Sequence, residues 1–316
     1  MNKGSNTAYY SHAACRGHDM GQGHPECSQR LDAIHDHLRA TGLDLALEYF
    51  EAPLALPEHL AHAHSSGYVA NILDLLQQVE LEGQPHAVDP DTIANVGTRQ
   101  AALRAAGAAI AATNDVIAGR AANAFCAVRP PGHHATREEA MGFCFFNNVA
   151  VAARHALHVH GLDRVAIIDF DVHHGNGTED IVAGDERILM CSFFQHPLYP
   201  YSGIAPAGAN MVNLPLPPYT RGPAMRAAVE QHWLPRLEAF APQMFFVSAG
   251  FDAHREDDLG QMGLVEDDYA WLTSQIMALA ARHSMGRIVS CLEGGYNLSA
   301  LARSVAAHLR VLAGVH

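Results

Sequence analysis

Residues 166–180 read AIIDFDVHHGNGTED. A β-branched apolar run, of the kind that forms a buried strand, closes on Asp169, Asp171, His173 and His174. Side chains along a strand alternate faces with a period of two. Asp169, Asp171 and His173 therefore share one side, and Asp171 with His173 offers the mixed oxygen and nitrogen donors of a divalent-metal site. A solvated turn would use the same residue types, so this spacing opens the metal reading without closing it.

Three further clusters carry chemistry of other kinds. In RPPGHHATREEAMGFCFFNN, residues 129–148, the rigid turn Pro130-Pro131-Gly132 presents His133 and His134. Imidazoles titrate near neutrality and can take up or release a proton. In SAGFDAHREDDLGQMGL, residues 248–264, Asp252, Asp257 and Asp258 could each complete a metal site, and spacing does not choose among them. In LEGGYNL, residues 292–298, two glycines permit close backbone approach and Tyr296 follows. A tyrosine hydroxyl there can donate to a developing oxyanion. Its plainer use would be to pack on the sheet. Metal ligands, a proton shuttle and an oxyanion donor together are the parts for metal-assisted hydrolysis of a carbonyl compound.

Each cluster follows an apolar run that reads as a strand buried on both faces: 123–128, 164–172, 243–250 and 286–295, with a fifth such run at 187–194. Helical patterns lie between them at 97–119, 147–160, 223–240, 266–283 and 297–314. This alternation predicts an α/β fold, a single open and mostly parallel sheet with helices on both faces. Ligands of such sheets bind beyond the carboxyl ends of the strands. The first 95 residues read as more helical, with loops at 15–27 and 83–96. No linker or repeat divides the chain, so residues 1–316 are expected to form one domain.

The composition is that of a folded globular chain, with 49% hydrophobic and 17% charged residues. A formal charge of −13 argues against nucleic-acid binding, which needs a basic face, and suits cationic small molecules or basic peptides. The 22 histidines include groups at His62 and His64, and at His155, His158 and His160, that sit in helical patterns and read as structural. The six cysteines form no CxxC pair and read as reduced thiols. MNKGSNTAYYSHAACRGH lacks the apolar core of a secretory signal, and no apolar run reaches the ~20 residues of a membrane span. A cytoplasmic chain without membrane contact is expected.

The motifs HPECSQRL (24–31), RPPGHHA (129–135), GFCFFNNVAVAA (142–153), IDFDVHHGNGTED (168–180), SAGFDAH with DDLG (248–260) and LEGGYNL (292–298) resemble, in order, the zinc-dependent histone deacetylase family. HHGNGT and SAGFDAH look like its class II branch, with Asn176 in place of an aspartate. The resemblance implies the arginase/deacetylase fold and removal of acyl groups from the ε-amine of lysine. It assigns Asp171, His173 and Asp257 to the metal, Zn2+ or Fe2+. Asp257 is chosen because it falls where the family's D-P-L-G segment begins, although Asp258 replaces the proline. It makes His133, His134 and Tyr296 catalytic, with Asp169 behind His133 and Asn176 behind His134. It places Phe143, Gly142, Tyr199 (with Tyr201 as second choice) and Leu259 along the substrate tunnel. A K+ or Na+ would sit among Asp169, Asp171, His173, Ser192 and Phe193. The implied partners are an acyl-lysine peptide or protein, or a small acylated amine, and a homo-oligomer is compatible. Ser28 departs from the family's usual proline. Leu259 stands where polyamine-selective relatives carry a glutamate, which argues against an acetylpolyamine amidohydrolase. A second full set of metal-binding pairs, as in ureohydrolases, is missing. Every catalytic position is filled, against the pattern of a non-catalytic acyl-lysine binder.

Overall fold

The computed structural model describes residues 6–315. The start of the stretch read for a secretory signal, residues 1–5, lies outside the described residues. Among the described residues the strands are β1 (Thr7–Ser11), β2 (Leu47–Glu51), β3 (His86–Asp89), β4 (Thr92–Ala94), β5 (Asn123–Cys126), β6 (Val165–Asp169), β7 (Ile188–Gln195), β8 (Met211–Leu216), β9 (Phe245–Ala249) and β10 (Ile288–Leu292). Eight of them form one sheet in the order β2-β1-β5-β10-β9-β6-β7-β8, and β3 pairs with β4 as a separate antiparallel hairpin.

Every pairing in the large sheet is parallel. The central strands β10, β9 and β6 are buried at every position, which is why they read as unbroken apolar runs. Helix Leu298–Leu312 packs on both Gln29–Thr41 and Glu266–His283, and Thr98–Ile117 packs with Asn148–His158. Each Leu, Ile, Val or Phe buried between these layers contributes about 1.5–3 kcal/mol.

The N-terminal third holds helices Gln29–Thr41, Pro57–Leu60 and Ser66–Glu82, in keeping with its helical reading, and adds strands that the reading missed. It supplies β1 and β2, which extend the sheet to one edge, and the 83–96 loop contains the β3–β4 hairpin. β2 is an edge strand whose Glu48 and Tyr49 face solvent, so its sequence lacks an apolar run. β8, at the other edge, tolerates Pro215 because an edge strand has a side with no ladder to complete. The helix read over 223–240 is interrupted by a π turn at Val229–Trp233.

Parallel strands put all their carboxyl ends on one side. Asp169 of β6 is in register with Ser248 of β9 and with Ser192 of β7. The segments leaving β6, β9, β10 and β5 therefore converge on one rim.

Candidate active site

Beyond β6 the chain bends at residues 171–173, where His173 N–H donates to Asp171 Oδ1 (2.9 Å), before helix Asn176–Val182 begins. Asp171 and His173 follow the Asp169–Ser248 pair on one strand and Asp252 follows it on the other, and the fold brings the three together. The Nδ1 of His173 is 3.1 Å from Asp171 Oδ1 and 3.2 Å from Asp252 Oδ2. One donor atom from each of these three residues lies within 4.8 Å of the other two. Asp171 and Asp252 are fully buried. Val172 N–H donates to Asp252 Oδ1 (2.8 Å) and Gly294 N–H to Asp171 Oδ2 (2.8 Å), and His133 Nε2 lies 3.8 Å from the same Asp171 oxygen.

This corrects the expected ligand set. Asp257 is outside the cluster. Its Oδ2 accepts from the backbone N–H of Tyr296 (2.6 Å) and of Asn297 (2.9 Å), and its Oδ1 accepts from Leu259 N–H (3.1 Å). Asp257 ties two loops together, and Asp252 takes the position facing His173.

The three residues fit a divalent cation. Burial alone would lower the His173 pKa, but the Asp171 and Asp252 carboxylates raise it to about 10, so the pocket demands positive charge. Burial, with the charge of Asp171, pushes Asp252 up to about 7. Beyond the His173 Nδ1 contact, Asp252 Oδ2 has no polar partner among the described residues. A Cβ on Gly250 would lie 2.0 Å from Asp171 Oδ2, and one on Gly294 would lie 2.0 Å from Asp252 Oδ2. The glycines of SAG and EGG are therefore the space in which the carboxylates sit. Two oxygens and one nitrogen suit zinc or ferrous iron.

The tandem histidines enter from the loop after β5. Glu293, at the end of β10, clamps that loop by accepting from Gly132 N–H (2.6 Å) and His133 N–H (3.1 Å). Burial pushes this carboxyl up to about 7. Sequence reasoning passed over Glu293; its signal is a carboxylate closing the apolar run IVSCLE. His133 Nδ1 lies 3.0 Å from Asp169 Oδ2. His134 Nδ1 lies 2.7 Å from Asn176 Oδ1, and the Asn176 amide donates to Met141 Sδ (3.4 Å). That orientation leaves the amide oxygen for His134, so Nδ1 carries the proton and Nε2 presents its lone pair. Burial, and the neighbouring His133 and His173, hold the His134 pKa well below the usual imidazole value.

Tyr296 stands one residue before Asn297, whose side chain caps helix Leu298–Leu312 by accepting from Ala300 N–H. The Arg30 guanidinium lies 5.0 Å over the Tyr296 ring and donates to Gly295 O (2.7 Å). Burial, with the charge of Asp252, raises the Tyr296 pKa and keeps its hydroxyl protonated. Arg30 and Arg129 share the buried Glu26, so HPECSQRL braces the site from beneath.

A cavity of about 260 Å3 connects these groups to the surface, lined by His134, His173, Tyr296, Gly142, Phe143, Tyr199, Leu259 and also Asp91, Leu198 and Tyr201. Phe143 has φ +70°, a left-handed conformation that costs a non-glycine residue about 1–3 kcal/mol. Its N–H donates to Thr92 Oγ1 (2.9 Å), so the β3–β4 hairpin holds it there. Tyr199 stands edge-on to His134 at 5.2 Å. Tyr201 is 73% exposed at the mouth. Behind the site, the buried Ser192 hydroxyl has no hydrogen-bond partner among the described residues, and Phe193 is fully buried.

The histone deacetylase domain matches residues 24–312. A histone deacetylase-like amidohydrolase of Pseudomonas aeruginosa is 38% identical, over 86% of this chain and 72% of that protein. The polyamine deacetylase HDAC10 of Mus musculus is 39% identical, over 92% of this chain and 45% of that protein. The crystal structure of the HDA15 HD domain superposes with a TM-score of 0.89 at 32% identity, covering 98% of this chain and 90% of that one. With residues 24–312 matched and the same fold over 98% of its length, the chain belongs to the histone deacetylase domain family.

Proposed function

We propose that this hydrolytic deacetylase removes acetyl or related acyl groups from the ε-amine of lysine in peptides or proteins, with residues 1–316 acting as one catalytic domain. The observation that carries the reading is the narrow cavity between Phe143 and Tyr199, which suits an unbranched side chain and ends at His134, His173 and Tyr296.

Asp171, His173 and Asp252 would hold the divalent ion, Zn2+ or Fe2+. Such an ion supplies Lewis acidity, which lowers the pKa of water from 15.7 toward about 7. The protein does the rest. Phe143 and Tyr199 enclose the aliphatic chain and exclude water. His134 Nε2, unprotonated and held in that tautomer by Asn176, takes the proton from the attacking water. The resulting imidazolium returns a proton to the leaving amine, with His133, oriented by Asp169, beside it at a ring separation of 4.0 Å. The Tyr296 hydroxyl donates to the oxyanion as it forms. A K+ or Na+ near Asp169, Asp171, His173, Ser192 and Phe193 would satisfy the orphaned Ser192 hydroxyl.

A second reading is an acetylated polyamine as substrate. Asp91 lines the same cavity and offers a carboxylate to a second ammonium, and one relative is named a polyamine deacetylase. Leu259, apolar at that cavity, favours lysine. The buried free cysteines fit a reducing compartment, and we place the enzyme in the cytoplasm. Among the described residues no helix is long and apolar enough to cross a membrane. Turnover of acetyl-lysine peptide against acetylputrescine, by the zinc- and iron-loaded enzyme, tests the assignment. A much higher kcat/KM on the peptide is expected, and the reverse order would establish the polyamine reading.

A further inference from the structure

A second cavity opens beside the catalytic one. Its volume is about 650 Å3, within the range of roughly 300–1,000 Å3 for ligand sites. Leu259 lines the catalytic cavity and the next residue, Gly260, lines this one. A Cβ on Gly260 would lie 2.7 Å from Asp252 O and 2.8 Å from the Val172 side chain. The second cavity therefore adjoins the loop that carries Asp252.

Three segments frame it, one following β8 and two following β9. Tyr219 N–H donates to Gln261 O (2.8 Å), Gly263 N–H donates to Thr220 O (2.8 Å), and Arg221 pairs with Gly263 in a parallel bridge. On the other flank Leu264 N–H donates to Ala253 O (3.1 Å) and Arg255 N–H donates to Leu264 O (2.9 Å). Residues 261–264 are thus the middle segment, with Arg221 on one side and Arg255 on the other. Gln261 N–H also donates to Gln195 Oε1 (2.7 Å), at the end of β7, which joins the frame to the loop that carries Tyr199.

Arg221 and Arg255 both line the cavity and both are exposed. Among the described residues neither guanidinium has a hydrogen-bond or ion-pair partner. The one carboxylate among the described lining residues, Asp268, is already engaged: it accepts from Val265 N–H (3.0 Å) and from Arg226 Nε (2.9 Å) and Nη2 (2.7 Å). On the adjoining loop Glu256 pairs with Arg303 (2.9 Å), Asp257 holds backbone amides, and Asp258 lies outside the lining. Two unpaired cations in one cavity stand out in a chain whose formal charge is −13. Guanidinium groups so placed suit a carboxylate, which they bind through forked, charge-assisted hydrogen bonds.

We propose that this cavity is a substrate subsite in which Arg221 and Arg255 receive an acidic side chain lying a few residues from the acyl-lysine. The inference rests on the proposed action on acyl-lysine peptides and adds a sequence preference to it.

Acetyl-lysine peptides carrying Glu, Gln or Lys at each neighbouring position in turn, assayed for kcat/KM with the metal-loaded enzyme, test it. At one or two positions Glu should exceed Gln by roughly threefold to tenfold, through KM, and the advantage should shrink at about 1 M salt. The net charge of the chain alone predicts the opposite order, with Lys ahead of Gln and Glu last. In an Arg221→Glu/Arg255→Glu variant the order at those positions should invert to favour Lys. Both side chains are exposed, so the variant should fold, and its turnover of the Gln peptide checks that it has. Equal kcat/KM for Glu and Gln at every position in the wild type, or an unchanged order in the variant, would overturn the subsite and leave the lysine reading standing. Failure to hydrolyse any of the peptides would overturn the lysine reading, and this subsite with it.

Discussion

The Asp171 and Asp252 carboxylates close on the same nitrogen, the Nδ1 of His173, at 3.1 and 3.2 Å. Two buried acids around one imidazole define where a cation belongs. Asp252→Asn should abolish uptake of the catalytic ion and, with it, hydrolysis. Asp257→Asn should keep the metal, because that carboxylate holds the amides of Tyr296 and Asn297 instead. Its cost should appear in kcat, through a loosened Tyr296. Metal content of the two purified variants distinguishes them, and a metal-free Asp257→Asn protein would reinstate Asp257 as the ligand.

Tyr296→Phe removes one oxyanion donor and leaves the metal-binding residues untouched. Turnover should fall by about 10²–10³ with metal content unchanged. Wild-type turnover on an acetyl-lysine peptide would remove Tyr296 from the mechanism.

Asn176 gives His134 a neutral acceptor at 2.7 Å. Asn176→Asp would put a negative charge there and raise the His134 pKa. A base must be unprotonated to act, so activity fails as pH drops below its pKa. The acid limb of the kcat/KM profile should therefore move to higher pH in the variant. An unmoved limb would mean that His134 is not the titrating base.

Glu26 is buried between Arg129 and Arg30. Burial alone would raise its pKa, but the two guanidinium groups hold it at about 2. A depressed carboxylate stabilises the fold fully above its unfolded value of about 4.3 and loses that contribution as pH falls through the folded value. Glu26→Gln should cost about 3–5 kcal/mol at pH 7, since it leaves two buried cations short of a counter-charge. The gap to wild type in urea denaturation should narrow as the pH approaches 2. A gap independent of pH would show that the charge is not what matters.

What could be read in advance follows from burial. β6, β9 and β10 are enclosed on both faces, so their residues are uniformly apolar and their polar ends stand out. β1 reads TAYYS and has no run of aliphatic residues, and β2 and β8 form the edges, where most residues are exposed or half-buried and the apolar signal fades. The His133–Asp169 and His134–Asn176 contacts are close to what the motifs imply. Asp252 was within reach too. It follows the end of β9 by a few residues, as His173 follows the end of β6, and Gly294 of the EGG segment leaves the room that its carboxylate needs. Asp257 lies a further turn along the loop. Asp91 reaches the cavity from the β3–β4 hairpin, a segment brought there only by the fold, and short-range spacing carries no trace of that.

The most direct measurement is anomalous diffraction at the zinc edge from crystals of the zinc-loaded protein. A peak should stand between the Asp171, Asp252 and His173 side chains, with the Tyr296 hydroxyl and His134 Nε2 facing it across the cavity. Crystals with no density at that point, or with the ion held by Asp257 in place of Asp252, would contradict the assignment on which the proposed chemistry depends.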